Sequence, residues 1–134
     1  MKYITTILTA MLLSCQTLVA DTVTDLRPTI KEAAAVNDVD PVLMEAIIRL
    51  ESGHAQSKAA RTKNNLAGIM GRKGQRRYET KEDCVHHLGE ILGKYKAKGR
   101  VTVEQIGRYY CESRGPWVRG VNAQMKRIRE GAYD

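Results

Sequence analysis

The sequence predicts a mostly α-helical domain of about five helices with one small β-hairpin, and three observations support this. Apolar residues recur at helical spacing in several stretches. Helix-starting residues stand ahead of those stretches, and glycines or asparagines follow them. One segment near the middle interrupts the rhythm with asparagines and glycines, and reads as irregular backbone with room for a hairpin. No internal repeat and no low-complexity linker divides the chain.

The first residues follow a different pattern. Met1, Lys2 and Tyr3 make a short basic start, and residues 4–13 are an apolar run of ten. Residues 14–20 are small and mildly polar, ending Leu18-Val19-Ala20 before Asp21. This is the order of a secretory signal peptide, with cleavage expected after Ala20. The apolar run is well short of the roughly 20 residues that span a bilayer. Residues 1–20 are therefore read as a cleaved signal, and 21–134 as a single domain with no integral membrane segment. Leu12-Leu13-Ser14-Cys15 also loosely matches a lipoprotein signal, which would leave a lipidated Cys15. Either route predicts an exported protein, periplasmic or extracellular. The 114 residues after Ala20 suffice for one modest core.

The first helix is expected over residues 26–36, with Pro28 tolerated in its first turn and Asn37 as its stop. Asp40 caps a second helix with Pro41 at its first position, running to Ser52 and ended by Gly53. Residues 55–80 hold Asn64-Asn65, Gly68, Gly71 and Gly74; within them, residues 66–70 and 75–79 are expected to pair as a hairpin around Arg72-Lys73-Gly74. Thr80 and Asp83 start a helix whose stripe is Val85, Leu88, Leu92 and Tyr95, with Gly99 at its end. Thr102 with Gln105 is a capping box for a helix carrying Ile106, Tyr109 and Tyr110. Gly115-Pro116 is expected to break the chain before a last helix with Trp117, Val121, Met125 and Ile128 on one side.

Charge and cysteines limit the function classes. The formal net charge is +7, or +6 without Lys2; the cations are spread along the chain, with a local cluster at Arg72, Lys73, Arg76 and Arg77. Such a balance suits an anionic surface, but no recognisable nucleic-acid motif appears, so nucleic acid is not the expected partner. A membrane-active cationic peptide would need a strongly amphipathic basic helix, which the last helix, with Lys126, Arg127 and Arg129, matches only faintly. Cys84 and Cys111 are the two cysteines after Ala20, and an exported small domain with two cysteines is expected to bridge them. Antiparallel packing of the two helices joined near Gly99 would bring these residues together. The bridge would close a 28-residue loop, worth roughly 3–4 kcal/mol in the chain-entropy picture. His54, His86 and His87 have no zinc-ligand spacing with the cysteines, so no metal is expected.

The second helix carries the residue of chemical interest. Glu45 and Arg49 are four apart and are expected to pair on its outer face. Glu51 lies three residues from Ile48, four from Ile47 and seven from Met44, which puts it on the apolar face. It also lies in the last turn, where the helix dipole disfavours a negative charge. Both effects raise a carboxyl pKa. A carboxylic acid that keeps its proton is what protonation of a glycosidic leaving oxygen needs.

Glu51-Ser52-Gly53, Ser57, Asn64-Asn65-Leu66-Ala67-Gly68-Ile69-Met70, Tyr78-Glu79-Thr80 with Glu82-Asp83-Cys84, the Tyr109-Tyr110 helix, and Trp117-Val118 with Val121-Asn122 and Met125 follow one another in order. The set resembles the glucosaminidase family of bacterial autolysins over roughly residues 40–128. It is also similar to the related lytic transglycosylases, which share a lysozyme-like α+β fold. The resemblance implies cleavage of peptidoglycan glycan strands without a metal or organic cofactor. It casts Glu51 as the catalytic acid and Ser52 as an orienting neighbour. Asn65, Gly68 and Ile69 would lie in the segment lining the cleft floor. Tyr110 would face the acid across the cleft, with Tyr109 as the fallback, and Tyr78 would join the substrate-binding set. Trp117 falls where the family often has an aromatic residue, although plain core packing is the favoured account of it.

One departure bears on mechanism. The family is expected to place a second carboxylate in the hairpin, yet residues 71–78 contain no Asp or Glu. Glu79, Glu82 and Asp83 are the nearest substitutes, the last two looking like first-turn helix residues. Without a second carboxylate to act as nucleophile or activate water, the substrate's own N-acetyl group or the MurNAc 6-hydroxyl must serve. Arg72, Lys73, Arg76 and Arg77, on the hairpin, would then meet the carboxylates of peptidoglycan stem peptides. A non-catalytic wall-binding module on the same fold is the competing expectation. The small size would suit local wall remodelling during assembly of a secretion or surface apparatus.

Overall fold

The computed structural model describes residues 21–134; the expected signal peptide and the alternative lipidation at Cys15 lie outside these described residues. The architecture is mostly helical with a two-stranded antiparallel hairpin. In chain order it runs α1 Thr22–Asp25, α2 Arg27–Asn37, α3 Pro41–Ser52, α4 Lys58–Lys63, β1 Met70–Gly71, β2 Gly74–Gln75, α5 Lys81–Ala97, α6 Val103–Tyr110 and α7 Arg114–Arg129.

Local chemistry accounts for most boundaries. The Asp40 side chain accepts from the Val42 amide at the start of α3, and Gly53 ends that helix in the left-handed conformation. Reciprocal capping boxes, Thr80 with Asp83 and Thr102 with Gln105, open α5 and α6. Helix α2 runs to Asn37 and ends on a left-handed Asp38, one residue beyond the expected stop.

The differences from expectation lie where tertiary contacts override local signals. α4 arises inside the segment read as irregular: Ser57 caps it by accepting from the Ala60 amide, and a left-handed Asn64 ends it. The hairpin is only two residues per strand, pairing Met70 with Gln75 and Gly71 with Gly74 around Arg72-Lys73. Gly115-Pro116 does not break the chain before the last helix; both sit in the first turn of α7, where proline's missing N–H costs nothing. Cys84 and Cys111, expected to bridge, stand as free thiols in this structure. Helix α6 packs on α7 rather than antiparallel along α5. Cys84 is instead buried beneath the middle segment, where its Sγ accepts from the Leu66 amide at 3.3 Å.

Helix α3 is the axis of the domain. It packs against α7, α2 and α1, and Leu43, Met44, Ala46, Ile47 and Ile48 are all buried in the core. On the far side of α2 lies α5. Their close approach needs Gly89, since a Cβ there would meet the Ala33 carbonyl at 3.2 Å and Asn37 Nδ2 at 2.9 Å.

Glu45 and Arg49 do pair, but not on an outer face: they are 4% and 1% exposed. Arg49 donates to Glu45 at 3.0 Å, to Asp21 at 2.7 Å and to Thr24 Oγ1 at 3.2 Å, and lies 3.7 Å beneath the Tyr133 ring. Arg27 forks onto the other side of Glu45 and reaches Asp134. Arg49 also lies 3.1 Å from His54 Nδ1; because arginine can only donate, that nitrogen must accept and the ring proton sits on Nε2. This polar cluster ties both ends of the described chain to α3, with no buried polar side-chain atom left unpartnered among the described residues.

Candidate active site

Glu51 stands in the last turn of α3, half-buried. The packing of α7 across α3 brings Trp117, 66 positions away in sequence, onto it: indole Nε1 donates to Glu51 Oε1 at 2.7 Å. On the other side lies Gly68, where a Cβ would come within 2.7 Å of Glu51 Oε2. Gly68 has φ +65°, so a glycine answers two demands here: the left-handed backbone and the close approach of a carboxylate. The Glu51 carboxyl is thus held between an indole and a bare backbone.

Burial raises the Glu51 pKa above the ordinary 4.5, and the Trp117 hydrogen bond, which favours the ionised form, opposes this only in part. The geometry also says where the proton rides. Indole N–H can only donate, so Oε1 must remain an acceptor. Because the carbonyl oxygen of a neutral carboxyl is its stronger acceptor, this bond favours the acidic proton on Oε2, the oxygen beside Gly68. No described residue hydrogen-bonds Oε2, so the proton is free for a ligand.

An open depression of about 250 Å³ meets this carboxyl, lined by Leu50, Glu51, Cys111, Ser113, Pro116 and Trp117. Its walls are the end of α3 and the α6–α7 junction. The hairpin, expected to form one wall, does not line it; the middle segment contributes through Gly68 at the other face of Glu51. Another depression, of about 190 Å³, lies at the opposite end of α3 beside Pro41 and Val42. Its Arg27 and Glu45 are already spent on each other, so the Glu51 depression is the better placed for chemistry.

The remaining candidates divide into those at Glu51 and those elsewhere. Tyr110 stacks on Trp117 with ring centroids 5.2 Å apart and 28° between planes. Its hydroxyl donates to the Ala67 carbonyl, next to Gly68. Burial and then the Glu51 charge push its pKa well above the ordinary value, so it stays protonated. Tyr110 therefore positions Trp117 and the Gly68 turn together. Tyr109 points elsewhere: it is 55% exposed and lies under the Arg100 guanidinium at 3.5 Å, beside Tyr95.

Ser52 and Asn65 are buried, and their polar atoms are engaged inside the protein. Ser52 Oγ donates to the Ile48 carbonyl and accepts from the Ala55 amide. Asn65 donates to the carbonyls of Ile69 and Arg76 and accepts from the amides of Ala67 and Ile69. All four bonds go to backbone of the Gly68 turn and the adjoining strand, so Asn65 shapes the floor without presenting a free group. Tyr78 is buried, with its hydroxyl 2.6 Å from His87 Nδ1 and its pKa pushed up to about 12 by burial.

None of the alternative carboxylates lines the depression. Asp83 accepts from the Thr80 amide in the α5 capping box, and Glu79 and Glu82 are exposed. Among the described residues, no cluster of three or more His, Cys, Asp or Glu is placed to hold a metal ion, and no helix is long and apolar enough to cross a membrane.

Sequence reasoning missed the Trp117–Glu51 bond and the entry of Cys111 into the depression. A faint signal for the first was present. Gly107, three positions before Tyr110, leaves room for Trp117: a Cβ there would meet the indole Cε3 at 3.1 Å. No protein-family model and no curated protein matches this chain.

Proposed function

We propose that the protein cuts the glycan strands of peptidoglycan, in the manner of the glucosaminidases and lytic transglycosylases it resembles, with Glu51 as the general acid. The observation that carries this reading is the Glu51 carboxyl: half-buried, raised in pKa, fixed through one oxygen by Trp117 and unbonded at the other, on a residue that lines an open depression. A carboxylic acid that burial helps to keep its proton and that is held in one orientation meets the first demand of glycosidic cleavage.

In the proposed reaction Glu51 Oε2 gives its proton to the leaving oxygen as the glycosidic C–O bond breaks, and the bond's electron pair stays on that oxygen. The sugar carbon passes through an oxocarbenium-like state. With no other carboxylate lining the depression, the attacking oxygen comes from the substrate, either the 2-acetamido group or the muramyl 6-hydroxyl. In the first case water then bonds to the sugar carbon, displaces the acetamido oxygen and gives a proton to the ionised Glu51; in the second the hydroxyl bonds to that carbon and gives Glu51 its proton, so that in both the acid returns to its starting form. The expected setting is an exported protein acting on the wall outside the cytoplasm.

Mass spectrometry of purified peptidoglycan after incubation tests this, with Glu51→Gln beside the parent. Release of muropeptides by the parent and not by the variant supports the reading. Anhydro-MurNAc ends identify attack by the 6-hydroxyl, and reducing GlcNAc ends identify glucosaminidase hydrolysis. No release by the parent between about pH 4 and 8 refutes the enzyme reading and leaves a binding module.

A further inference from the structure

The net charge of this protein sits in one place. Of 22 Lys and Arg residues, seven fall within residues 52–78: Lys58, Arg61, Lys63, Arg72, Lys73, Arg76 and Arg77. None of the 15 Asp and Glu residues does. The rest of the chain carries 15 of each sign, so this single segment accounts for the whole formal excess of +7. The cations look evenly spread along the sequence, but their balancing acids are not.

The fold gathers the segment into one face. Strand β2 and the residues after it lie along α4: the Tyr78 amide donates to the Lys63 carbonyl at 2.9 Å, and Arg77 donates to the Thr62 carbonyl at 2.6 Å. Between them is a depression of about 240 Å³ lined by Lys58, Ala59, Thr62, Lys63 and Gln75. None of the seven ion pairs among the described residues uses a cation from this face. Lys63 and Arg77 reach backbone carbonyls, and Arg76 leans over Tyr78 at 5.6 Å. Lys58, Arg61, Arg72 and Lys73 are exposed and make no side-chain hydrogen bond among the described residues. Elsewhere Arg27, Arg49, Lys96 and Arg129 all meet carboxylates of the protein.

We propose that the α4–hairpin face docks the carboxylate-bearing peptides that branch from the glycan strand cut at Glu51. The identity of the partner rests on the function proposed above; the charge asymmetry does not. The α4 helix and the hairpin are joined by residues 64–69, which include the Gly68 that touches Glu51. A strand seated at Glu51 would thus carry its side branches past these cations. Carboxylates fit the donors present, because a guanidinium forks onto a carboxylate and a lysine serves as a point charge. Single-stranded nucleic acid would call for exposed aromatic platforms, and the one aromatic residue of this segment, Tyr78, is buried. A lipid surface would call for a continuous apolar face beside the charges; α4, KAARTK, has none, and the hairpin adds a single exposed apolar side chain, Met70.

The test uses the Glu51→Gln protein, so that the wall stays intact, and the same protein with Lys58→Gln, Arg61→Gln, Arg72→Gln and Lys73→Gln. Co-sedimentation measures binding to sacculi and to sacculi stripped of stem peptides by an amidase. The parent is expected to bind peptide-bearing glycan about tenfold more tightly, and the four-site variant to lose that difference while binding stripped glycan as the parent does. Matching melting temperatures for the two proteins establish that the variant is folded. Equal binding of the parent to both sacculi overturns the proposal. So does a variant equally weakened on both, or a parent that prefers polyphosphate, DNA or anionic vesicles to peptide-bearing glycan. Peptide-dependent binding together with a wild-type protein that releases no muropeptide keeps the docking face and removes Glu51 as the acid.

Discussion

Replacing Gly68 by alanine separates the two demands placed on that glycine. The new Cβ would lie 2.7 Å from Glu51 Oε2, and φ at this residue is +65°. The left-handed backbone alone costs a non-glycine residue about 1–2 kcal/mol, a fall in Tm of roughly 5–10 °C for a domain of this size. The contact adds something different. A carboxylate oxygen is the mobile end of a side chain, so Glu51 swings away rather than the backbone yielding, and its 2.7 Å bond from Trp117 is lost. A displacement of about 1 Å at a reacting group lowers rate on the order of 10²-fold. Gly53→Ala is the matched control: its φ is +54°, but a Cβ there meets nothing within 4 Å. The two variants are expected to lose similar stability in thermal melts. In muropeptide release, only Gly68→Ala is expected to lose about 10²-fold. Equal activity in the two would refute the idea that Gly68 sets the position of the acid.

Four further outcomes follow from the same geometry. Trp117→Phe removes the indole donor that favours the ionised form of Glu51, so the alkaline limb of the kcat/KM pH profile should move upward; an unmoved limb would count against Glu51 as the titrating acid. Because the folded pKa of Glu51 is raised, its favourable contribution to stability is full below its ordinary 4.5 and is lost as pH rises through the folded value. Melting curves of Glu51→Gln should therefore compare better with the parent at pH 7 than at pH 4, and a pH-independent difference would contradict this. Arg49→Met leaves Glu45 buried with only Arg27 beside it, so denaturant unfolding should report a loss of about 3–5 kcal/mol that Arg49→Lys does not restore, since a lysine lacks the fork that spans Asp21 and Glu45. Cys84 is buried with a raised pKa, whereas Cys111 borders the Glu51 depression. Iodoacetamide should therefore label Cys111 first and suppress muropeptide release, as read by peptide mass mapping, with Cys111→Ser protected; protein that takes up no label even after unfolding would mean that the two thiols are bonded.

Much of the fold was legible because it is written locally. Asp40 with Pro41, Thr80 with Asp83 and Thr102 with Gln105 each satisfy helix ends with atoms a few residues away, so α3, α5 and α6 could be placed from the sequence. Helix α4 was hidden because six residues with one buried alanine leave no periodic stripe to read. The cysteine pairing was argued from neighbours in sequence packing together, whereas α6 finds its main partner in α7.

By itself the sequence determined that a carboxyl would stand at the apolar end of α3, because helical periodicity and a glycine stop fix both the face and the turn. Only the tertiary structure decided what that carboxyl meets. Trp117 and Gly68 reach Glu51 from segments 66 and 17 positions away, and Ser52 and Asn65 are engaged in shaping the backbone around it. The same holds for Glu45 and Arg49, whose four-residue spacing announced a pair but not its burial. Spacing along a helix fixes which side chains share a face, whereas the packing of distant apolar surfaces decides whether that face meets water, another helix or a ligand.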